Sequence, residues 1–462
     1  MNAPEIALKA GIAGGGGAGF PTHVKLSAKA DYFIVNAAEC EPLMETDKFL
    51  VRTRAADLTE GAVEMARAVG AKRVVFAIKK AYAREIASLN AAISAREKQY
   101  AQDDRSGENA GPEITVFGMR TFYPAGDEQI ITRLVTGKSI PERGIPLDVG
   151  AVVDNVSTVL NFFDALGGAP VTRRTLSVTG AVRNPLMLLA PIGTPVSLCV
   201  EAAGGAPDGS GIVVGGPMMG KYYDSTDGLY IKKTDGNILV LPPGHRLSDI
   251  AGLSIIKMQN RARSACIKCR MCTDLCPRYL TGHNVTPHTV MQNLYRIDQM
   301  DGGDEFGRVF GNALNCSECG LCEHYSCPMT LSPRRVNAYV KTRLAGKTGV
   351  PVKNMNPESR EYMEDRLVPT ERLTARLGLS KYVKHLGDGL TELKPERVRL
   401  LLKQHTGAPC IPVVSQGSPV SRGDLIAAIP DGKLGCNLHA SIDGAVLSVN
   451  EDSIDISGKA WS

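Results

Sequence analysis

The chain contains 462 residues, of which 43% are hydrophobic and 22% are charged, and its formal net charge is +5. This length exceeds what one hydrophobic core supports and predicts roughly two to four domains. Basic and acidic residues are interleaved, which argues against a nucleic-acid surface, and no run reaches the roughly 18 apolar residues of a membrane helix. The N-terminus also lacks the apolar core of a secretory signal. We therefore expect a cytoplasmic protein that uses its 12 cysteines for metal or redox chemistry.

The first part of the chain alternates between strand-like and helix-like segments. Buried strands are predicted at residues 31–35, 73–78 and 113–117. Apolar residues recur at helical spacing between Leu58 and Val69, and the composition of residues 81–98 also predicts a helix. This alternation predicts a layered α/β domain at residues 1–168.

Changes of composition divide the rest of the chain. The predicted segments are a β-rich insert at 171–242, a cysteine-bearing helical domain at 246–345, a charged connection with one or two helices at 346–400 and a compact all-β unit at 401–462. The last unit resembles a lipoyl-type fold, but Asp443-Gly444 occupies the hairpin turn where an attachment lysine would stand. We therefore expect this unit to dock against another surface and not to carry a group.

Eight of the cysteines form two short and nearly matching runs. The first run is Cys266, Cys269, Cys272 and Cys276, and the second is Cys316, Cys319, Cys322 and Cys327. Three cysteines at this spacing can hold one [4Fe–4S] cluster from a single loop, and a proline after the last cysteine is typical of bacterial ferredoxins. Zinc is the weaker alternative, because structural zinc usually takes two separated Cys-x-x-Cys pairs.

The fourth cysteine of each run is expected to bind the cluster of the other run, as in two-cluster ferredoxins. One cluster would then use Cys266, Cys269, Cys272 and Cys327, and the other would use Cys316, Cys319, Cys322 and Cys276. The second run has four residues before its last cysteine where the first has three. We expect this extra residue to lengthen a loop without preventing ligation.

A glycine-rich loop lies near the N-terminus. It contains Gly14, Gly15, Gly16, Gly17 and Gly19, followed by Phe20 and Lys25. Consecutive glycines let backbone N–H groups approach a phosphate closely, and Lys25 is placed to supply the countercharge. The loop is not a Walker A motif, and no predicted strand precedes it as a Rossmann fingerprint requires. A flexible linker is the alternative, and Phe20-Pro21 with the strand that follows argues against it.

These residues resemble a known flavin fold. Gly14–Lys25 with the motif Asn36-Ala-Ala-Glu-Cys-Glu-Pro42 is similar to the NADH-binding flavoprotein subunit of respiratory complex I and to RnfC. Tyr123-Pro-Ala-Gly-Asp-Glu128 and Val153-Asp-Asn-Val-Ser-Thr158 fall where that superfamily has further flavin contacts. Over nearly the whole chain, the order of segments resembles a narrower family, the cobalamin reductases of bacterial microcompartments.

The resemblance implies a fold, an activity and partners. The implied fold is α/β, with a complex-I-flavoprotein-like Rossmann-type domain, an SLBB β-grasp insert, an α-helical double [4Fe–4S] ferredoxin-like domain and a C-terminal barrel–sandwich hybrid. The implied activity is NADH-dependent reduction of cobalamin through FMN and two clusters, inside a microcompartment, with a shell protein and a corrinoid adenosyltransferase as partners. Transfer to a shell protein or to a glycyl-radical activating enzyme, and a non-catalytic electron-wire subunit, are the alternatives.

The resemblance also implies which residues bind the cofactors. They are Gly14, Gly15, Gly16, Gly17, Gly19, Phe20, Lys25, Asn36, Glu39, Glu41, Tyr123, Gly126, Asp127, Glu128, Asp154 and Asn155. FMN would lie on the glycine loop, and NADH would stack near Phe20 in a cleft lined by Glu41 and Glu128. Asp127 departs from the complex I pattern, which has a glutamate there. The isolated cysteines, Cys40, Cys199, Cys410 and Cys436, are expected to be structural thiols.

Overall fold

The structure is a computed structural model that describes residues 1–103, 111–300 and 304–458. The elements of its first part are α1 (Ala3–Lys9), α2 (Thr22–Leu26), β1 (Tyr32–Ala37), α3 (Thr46–Thr53), α4 (Ala55–Val69), β2 (Arg73–Lys79), α5 (Ala83–Asp103), β3 (Glu113–Met119), β4 (Phe122–Tyr123), α6 (Glu128–Thr136), β5 (Ala151–Asn155) and α7 (Val156–Leu166). β1, β2 and β3 confirm the three predicted strands, and α4 and α5 confirm both predicted helices.

Four parallel strands form one sheet in the order β3-β2-β1-β5. The chain moves from β1 outward to β2 and β3 through α4 and α5, and then returns to the opposite side of β1 as β5. β2 and β5 therefore lie on opposite sides of β1, so the strand order reverses there. In open α/β sheets such a reversal opens a crevice at the carboxyl ends of the strands, and ligands bind there.

Helices cover both faces of this sheet, so its strands are apolar along their length. Leu58 and Met65 of α4 are fully buried and belong to one core with Phe33 of β1. On the other face, Ile34 packs in a second core with Ile130 of α6. β1 therefore presents alternate residues to two cores and stands in the middle of the domain.

The predicted β-rich insert is a mixed sheet covered by one helix. Its elements are β6 (Arg173–Gly180), β7 (Leu186–Pro191), α8 (Val196–Ala202), β8 (Gly211–Val214), β9 (Lys221–Tyr223) and β10 (Asn237–Leu241). With one later strand, β12 (Leu390–Glu392), they form the order β12-β7-β6-β10-β8-β9. Cys199 of α8 is fully buried in the core of this unit, which agrees with a structural thiol.

The cysteine-bearing segment is helical, as predicted. Its helices are α9 (Arg246–Ala251), α10 (Ile255–Ala265), α11 (Met271–Asp274), α12 (Pro277–Leu280), α13 (Pro287–Asn293), α14 (Asp304–Phe310) and α15 (Pro333–Arg343). Short 3-10 turns lie at Leu294–Arg296 and Gly311–Asn315. Phe306, Phe310 and Val336 are fully buried in its core, which α10, α13, α14 and α15 share.

Residues 346–400 contain a helix, as the sequence predicts, and their short strands also pair with other units. β11 (Val368–Pro369) pairs with β4, β12 extends the insert sheet, and α16 (Thr370–Arg376) packs close to β4. β13 (Arg397–Leu401) pairs with a strand of the C-terminal unit, so the boundary predicted after residue 400 falls inside a strand. Single short strands carry little periodicity, and their pairing partners lie far away in sequence.

The C-terminal unit consists of two small antiparallel sheets. Its further strands are β14 (Ile411–Pro412), β15 (Pro419–Val420), β16 (Leu425–Ala428), β17 (Leu438–His439), β18 (Gly444–Val449) and β19 (Ser453–Ser457), in the orders β13-β19-β18-β15 and β14-β16-β17. Thr406 donates hydrogen bonds to the carbonyls of Gly19 (3.0 Å) and Ala18 (2.8 Å), so this unit docks on the glycine loop. Among the described helices, none is long and apolar enough to cross a bilayer.

Candidate functional site

The predicted flavin residues meet at the carboxyl ends of β1 and β5. Asn36 lies near the end of β1 and Asp154 and Asn155 end β5, which pairs directly with it. Asn36 Nδ2 donates to the carbonyl of Gly126 (2.9 Å), which brings the Tyr123–Glu128 motif to the same edge. Residues distant in sequence thus converge at the crevice where this topology places a ligand.

The glycine loop packs against the start of α7 at this edge. Gly15 N donates to Thr158 Oγ1 (2.9 Å), and Asn155 Oδ1 caps α7 by accepting from Ser157 N (2.9 Å). A Cβ on Gly16 would lie 3.1 Å from Asn155, whereas Gly16 and Gly17 are exposed on their other side. Glycine therefore lets the loop backbone lie against a helix N-terminus, where N–H groups favour an anion.

Lys25 is held by two carboxylates. Its Nζ lies 3.1 Å from Asp154 Oδ1 and 3.6 Å from Glu128 Oε1, and it donates to the carbonyl of Val153 (2.6 Å). Burial by itself would lower the pKa of Lys25, but Asp154 and Glu128 raise it above its ordinary value. The lysine expected to face a phosphate therefore also compensates the buried Asp154.

A chain of hydrogen bonds links the end of β1 to α7. Asp47 N donates to Glu39 Oε2 (2.5 Å), and Asn155 Nδ2 donates to Asp47 Oδ2 (2.7 Å). Burial, reinforced by Asp47, raises the pKa of Glu39, and burial raises the pKa of Asp47. This edge thus contains carboxyl groups with perturbed pKa values, which are common at functional sites.

The β-rich insert contributes Arg174, a residue that the sequence did not single out as a site residue. Its Nη2 donates to the carbonyl of Gly15 (2.8 Å), and its Nε donates to the carbonyl of Asp235 (2.7 Å). The side chain is buried, and burial lowers its pKa although Asp47 and Asp235 oppose that shift. Only the fold reveals this contact, because Arg174 lies 159 residues from Gly15.

Tyr123 and Glu41 lie away from the glycine loop, in a junction with the second cysteine run. Tyr123 is buried, and its Oη donates to the carbonyl of Cys319 (2.6 Å) and lies 3.4 Å from Glu41 Oε1. Glu41 Oε2 accepts from the N–H of Met218 in the insert (2.9 Å), and burial raises the pKa of Glu41 to about 7. In this structure the polar atoms of both side chains therefore contact protein groups of the insert and of the second cysteine run.

Asp127 forms a second contact between the two regions. Its Oδ1 caps α6 by accepting from Gln129 N (2.9 Å), and its Oδ2 lies 3.0 Å from Arg278 Nη2. Arg278 follows Cys276, the last cysteine of the first run. Both members of the ion pair are largely buried, so this contact fixes the cysteine domain against the end of the flavin motif.

The cysteines form two groups, and each group combines both runs. Burial raises the pKa of Cys272 to about 12, and its neighbours Cys327, Cys269 and Cys266 add to the shift. These four line one cavity that opens to solvent. We call them the outer group, because Cys269 is exposed.

The other four cysteines form the inner group. Burial raises the pKa of Cys276 to about 12, with Cys316 adding to it, and burial likewise raises the pKa of Cys319, with Cys276 and Cys316 as neighbours. The pKa of Cys322 rises through burial, through these three cysteines and through Cys272 of the outer group. The exchange of fourth cysteines expected from ferredoxins stays a prediction, and the proximity of these thiols is compatible with it.

The two runs share one backbone conformation. Lys268 (φ 57°) and Arg270 (φ 64°) flank Cys269 in the left-handed region, as Glu318 (φ 58°) and Gly320 (φ 82°) flank Cys319. The backbone around the middle cysteine thus follows the same path in both runs. Among the described residues, no His, Cys, Asp and Glu side chains crowd closely enough to hold a single ion, and a four-iron cube instead separates its thiolates over different irons.

The extra residue of the second run lies in a helix and not in a longer loop, which corrects the prediction. Residues Cys322–Ser326 form a π-helical turn, whereas the first run has the α-helical turn α11. A π turn absorbs one additional residue without displacing its ends. Cys276 (φ −71°, ψ 121°) and Cys327 (φ −78°, ψ 113°) therefore keep the same conformation.

Comparison with protein families agrees with a flavin domain followed by an insert, a cluster domain and a C-terminal β unit. Four families match: the Nuo51 FMN-binding domain at residues 7–164, the SLBB domain at 175–222, the 4Fe-4S dicluster domain at 265–332 and the RnfC barrel sandwich hybrid domain at 390–460. They confirm the predicted fold class and the order of its units. By fold and site, the protein is a flavin- and iron–sulfur-dependent oxidoreductase.

Two relatives align with nearly the whole chain, and both are named cobalamin reductase PduS. The Citrobacter freundii protein is 39% identical, with 98% of this chain and 95% of the relative covered, and the Salmonella typhimurium protein is 39% identical, with 99% and 97% covered. The chain belongs to the PduS cobalamin reductase family. A more distant relative, from the proton-translocating ferredoxin:NAD(+) oxidoreductase complex of Clostridium ljungdahlii, is 32% identical over 60% of this chain and 55% of its own length.

Proposed function

We propose that the protein is an NADH-dependent flavo-iron–sulfur reductase whose electron acceptor is cobalamin. Its family supports the acceptor, since two relatives that cover nearly the whole chain are named cobalamin reductase. The observation that carries the electron path is the hydrogen bond from Tyr123 to the carbonyl of Cys319 (2.6 Å). It places a cysteine loop in direct contact with the domain that carries the candidate flavin site.

The candidate flavin site suits a cofactor rich in oxygen atoms. We assign FMN to Gly14, Gly15, Gly16, Gly17, Gly19, Lys25, Asn36, Glu39, Gly126, Asp154 and Asn155. Asp154 Oδ2 and Ser157 Oγ are buried there without a hydrogen-bond partner among the described residues, as a missing ligand would leave them. FMN bound at this edge would accept a hydride and release electrons singly. Phe20 and Glu128 are exposed beside it, and we assign them to the NADH side.

Each cysteine group suits one [4Fe–4S] cluster, and we propose two clusters with the exchanged ligands. The outer cluster would take Cys266, Cys269, Cys272 and Cys327, and the inner cluster would take Cys316, Cys319, Cys322 and Cys276. Backbone N–H groups already point at the sulfurs, from Glu318 to Cys316 Sγ (3.3 Å) and from Leu331 to Cys327 Sγ (3.4 Å). Such hydrogen bonds tune the potential of a cluster.

The contacts of the two groups order them along one path. Tyr123 contacts the loop of Cys319, and Asp127 pairs with Arg278 beside Cys276, so the inner group adjoins the flavin domain. The outer group opens to solvent at Cys269. We propose that electrons pass from the flavin to the inner cluster, then to the outer cluster and then to the acceptor.

The family also supports the proposed surroundings of the protein. We propose that it works in the cytoplasm inside a bacterial microcompartment, with a shell protein and a corrinoid adenosyltransferase as neighbours. The C-terminal unit already docks within the chain, where Thr406 bonds Gly19 and Ala18. It therefore supports the flavin loop and is not assigned to the shell contact.

Anaerobic purification followed by titration with NADH tests the proposed function. We expect FMN, about eight irons for two four-iron clusters, bleaching of the flavin absorbance by NADH, and faster oxidation of NADH when hydroxocobalamin is added. Zinc in place of iron would exclude the clusters. Iron and flavin without bleaching would instead support the non-catalytic electron-wire subunit.

Replacement of Lys25 tests the flavin site itself. Lys25→Met keeps the length of the side chain but leaves Asp154 buried beside no cation, so we expect loss of FMN and a stability loss of about 3–5 kcal/mol. The double variant with Asp154→Asn removes the stranded charge and should recover most of the stability without recovering FMN. Full FMN occupancy in the double variant would remove Lys25 from the site.

A further inference from the structure

One face beside the outer cysteine group differs from the rest of the cysteine domain. On α10, Ile256, Lys257 and Arg263 are exposed, and the helix leads directly into the exposed turn of Ile267 and Lys268. Met258 and Ala262, on the opposite side of α10, are buried in the core. We call these five exposed residues the basic face.

The charge of this part of the chain has one sign. Residues 255–272 include Lys257, Arg261, Arg263, Lys268 and Arg270 and no acidic residue. Arg261 bonds the carbonyl of Thr330 (2.9 Å), and Arg270 lies 3.5 Å from Asp274. Among the ion pairs of the described residues, none includes Lys257, Arg263 or Lys268. Lys268 lines the cavity of the outer group, and Lys257 and Arg263 are exposed on the helix that leads into it. These three cations therefore lie on one continuous stretch of chain without an ion-pair partner among the described residues.

Large apolar side chains lie between these cations. Ile256 is 65% exposed and Ile267 is 60% exposed, and Met329, which lines the cavity of the outer group, is 38% exposed. Apolar side chains surrounded by charged ones are typical of a transient protein interface. Uncompensated charges at its edge steer the encounter with a partner of opposite sign.

The inner run shows that the backbone turn does not itself require basic and apolar side chains. Glu318 occupies the backbone position of Lys268, with a φ of 58° against 57°, and pairs with Lys341 (2.8 Å). Ser317 occupies the position of Ile267. In the inner run, where protein covers the turn, its residues are therefore polar and its charge is paired. In the outer run, where the turn is open to solvent, its residues are basic and apolar.

We propose that the basic face docks an acidic redox protein, which receives electrons from the outer cluster. This inference rests on the proposed function, in which the outer cluster is the last one. Each encounter transfers one electron to the oxidised centre of the partner. Two encounters therefore consume one NADH and give NAD⁺, two reduced partners and one released proton. The partner is a protein with carboxylates around its redox centre, because Lys268 adjoins Cys269, the exposed cluster ligand, and Lys257 and Arg263 extend the same charge along α10.

Binding of an acidic carrier to the purified holoprotein tests the proposal. The probe is oxidised plant-type ferredoxin, and basic cytochrome c is its counterpart of opposite charge. We expect ferredoxin to bind measurably at low salt, and its affinity to fall as the salt concentration rises. We expect cytochrome c not to bind at this face. The double variant Lys257→Glu/Arg263→Glu should weaken ferredoxin binding by about tenfold or more.

The matched control is Lys98→Glu, at an exposed position of α5, a helix that packs on α3, α4 and β3. It changes charge without touching the basic face and should leave the affinity for ferredoxin unchanged. An equal loss of affinity in both variants, or affinity independent of salt, would overturn the proposal. Stronger binding of duplex DNA than of ferredoxin would also overturn it and would assign the face to nucleic acid.

Bleaching of the flavin by NADH is measured on every sample, which separates this proposal from the proposed function. Absence of bleaching with intact binding of ferredoxin counts against the function and leaves the docking face standing. Bleaching without binding of ferredoxin counts against the docking face alone. Lys268→Glu adds a further test, because the inner run already has glutamate at this position of the turn, and we expect the same loss of affinity.

Discussion

The two cysteine runs have the same backbone but opposite surroundings. Each places its middle cysteine between two left-handed residues, and each ends on a cysteine in the same extended conformation before a proline. Yet Cys319 is buried against Tyr123, whereas Cys269 faces solvent among exposed cations. The spacing of the cysteines defines each cluster site. The surroundings of each site support its proposed position on the electron path from the flavin to the acceptor.

This difference has a direct consequence for electron transfer. A cluster in the inner group would have protein on the side of the flavin domain, with Arg278 and Arg334 nearby. A cluster in the outer group would have solvent and a partner beside it. Hydrogen bonds, charge and exposure all shift cluster potentials, so the two clusters need not be equivalent although their ligands are.

The largest expected effect comes from removing one cluster at a time. Cys319→Ala and Cys269→Ala should each remove about half of the iron, because a cubane that lacks one thiolate is lost or degraded. In Cys319→Ala the remaining outer cluster should stay oxidised when NADH is added, although dithionite reduces it. In Cys269→Ala the remaining inner cluster should be reduced by NADH. Electron paramagnetic resonance measures both.

Equal reduction of the remaining cluster in the two variants would contradict the proposed order. Cys199→Ala is the control, because Cys199 is buried in the insert core and is not assigned to a cluster. It should keep all of its iron and both signals. Loss of iron in this control would show that the assay reports general instability.

Much of the molecule could be predicted before its structure was known. Leu58 and Met65 recur on one helical face and are fully buried, because period and burial are both local properties. The proximity of Cys272 and Cys327 also agrees with the ferredoxin rule that the last cysteine of one run binds the cluster of the other. The spacing of the cysteines is enough to apply that rule. These features depend on residues close in sequence, or on a repeated motif.

The contacts that join the units could not be predicted in the same way. Arg174 reaches Gly15 across 159 residues, and Tyr123 reaches Cys319 across 196. Neither side chain differs in its local pattern from a structural residue. Tyr123 in particular lies within a motif that predicts a cofactor contact, and only the packed structure shows that its hydroxyl bonds a cysteine loop.

A second prediction concerns Glu41, a buried carboxyl group that adjoins the inner run through Tyr123. Burial raises the pKa of Glu41 from about 4.5 to about 7, so the folded protein retains a proton that the unfolded chain releases. Stability should therefore fall as the pH rises from about 4.5 to about 7, by at most about 3 kcal/mol.

Glu41→Gln should remove this decline and make the protein more stable than the wild type above about pH 7. The amide can still accept from Met218 N, and it can donate to Tyr123, whose own proton goes to Cys319. Melting temperatures from pH 5 to pH 8 measure the effect. A wild-type curve with the same slope as the variant would show that Glu41 does not titrate in this range.

The smallest expected effects come from exchanging the left-handed residues after the middle cysteines. A Cβ on Gly320 would lie 2.9 Å from the carbonyl of Met218, and its φ is 82°, so Gly320→Ala should cost roughly 1–3 kcal/mol. Gly417→Ala is the control, because Gly417 has a φ of 85° and open space around it. Equal losses in both variants would mean that the contact with Met218 contributes nothing.

Arg270→Gly makes the reverse exchange in the outer run. Glycine relieves the cost of a left-handed side chain, roughly 1–2 kcal/mol, but it also adds about 0.5–1 kcal/mol of backbone freedom to the unfolded chain. It further removes the exposed pair with Asp274, which contributes up to about 0.5 kcal/mol. The stability, as measured by thermal unfolding, should therefore lie between about 0.5 kcal/mol below and about 1.5 kcal/mol above that of the wild type, and a larger loss would contradict this account.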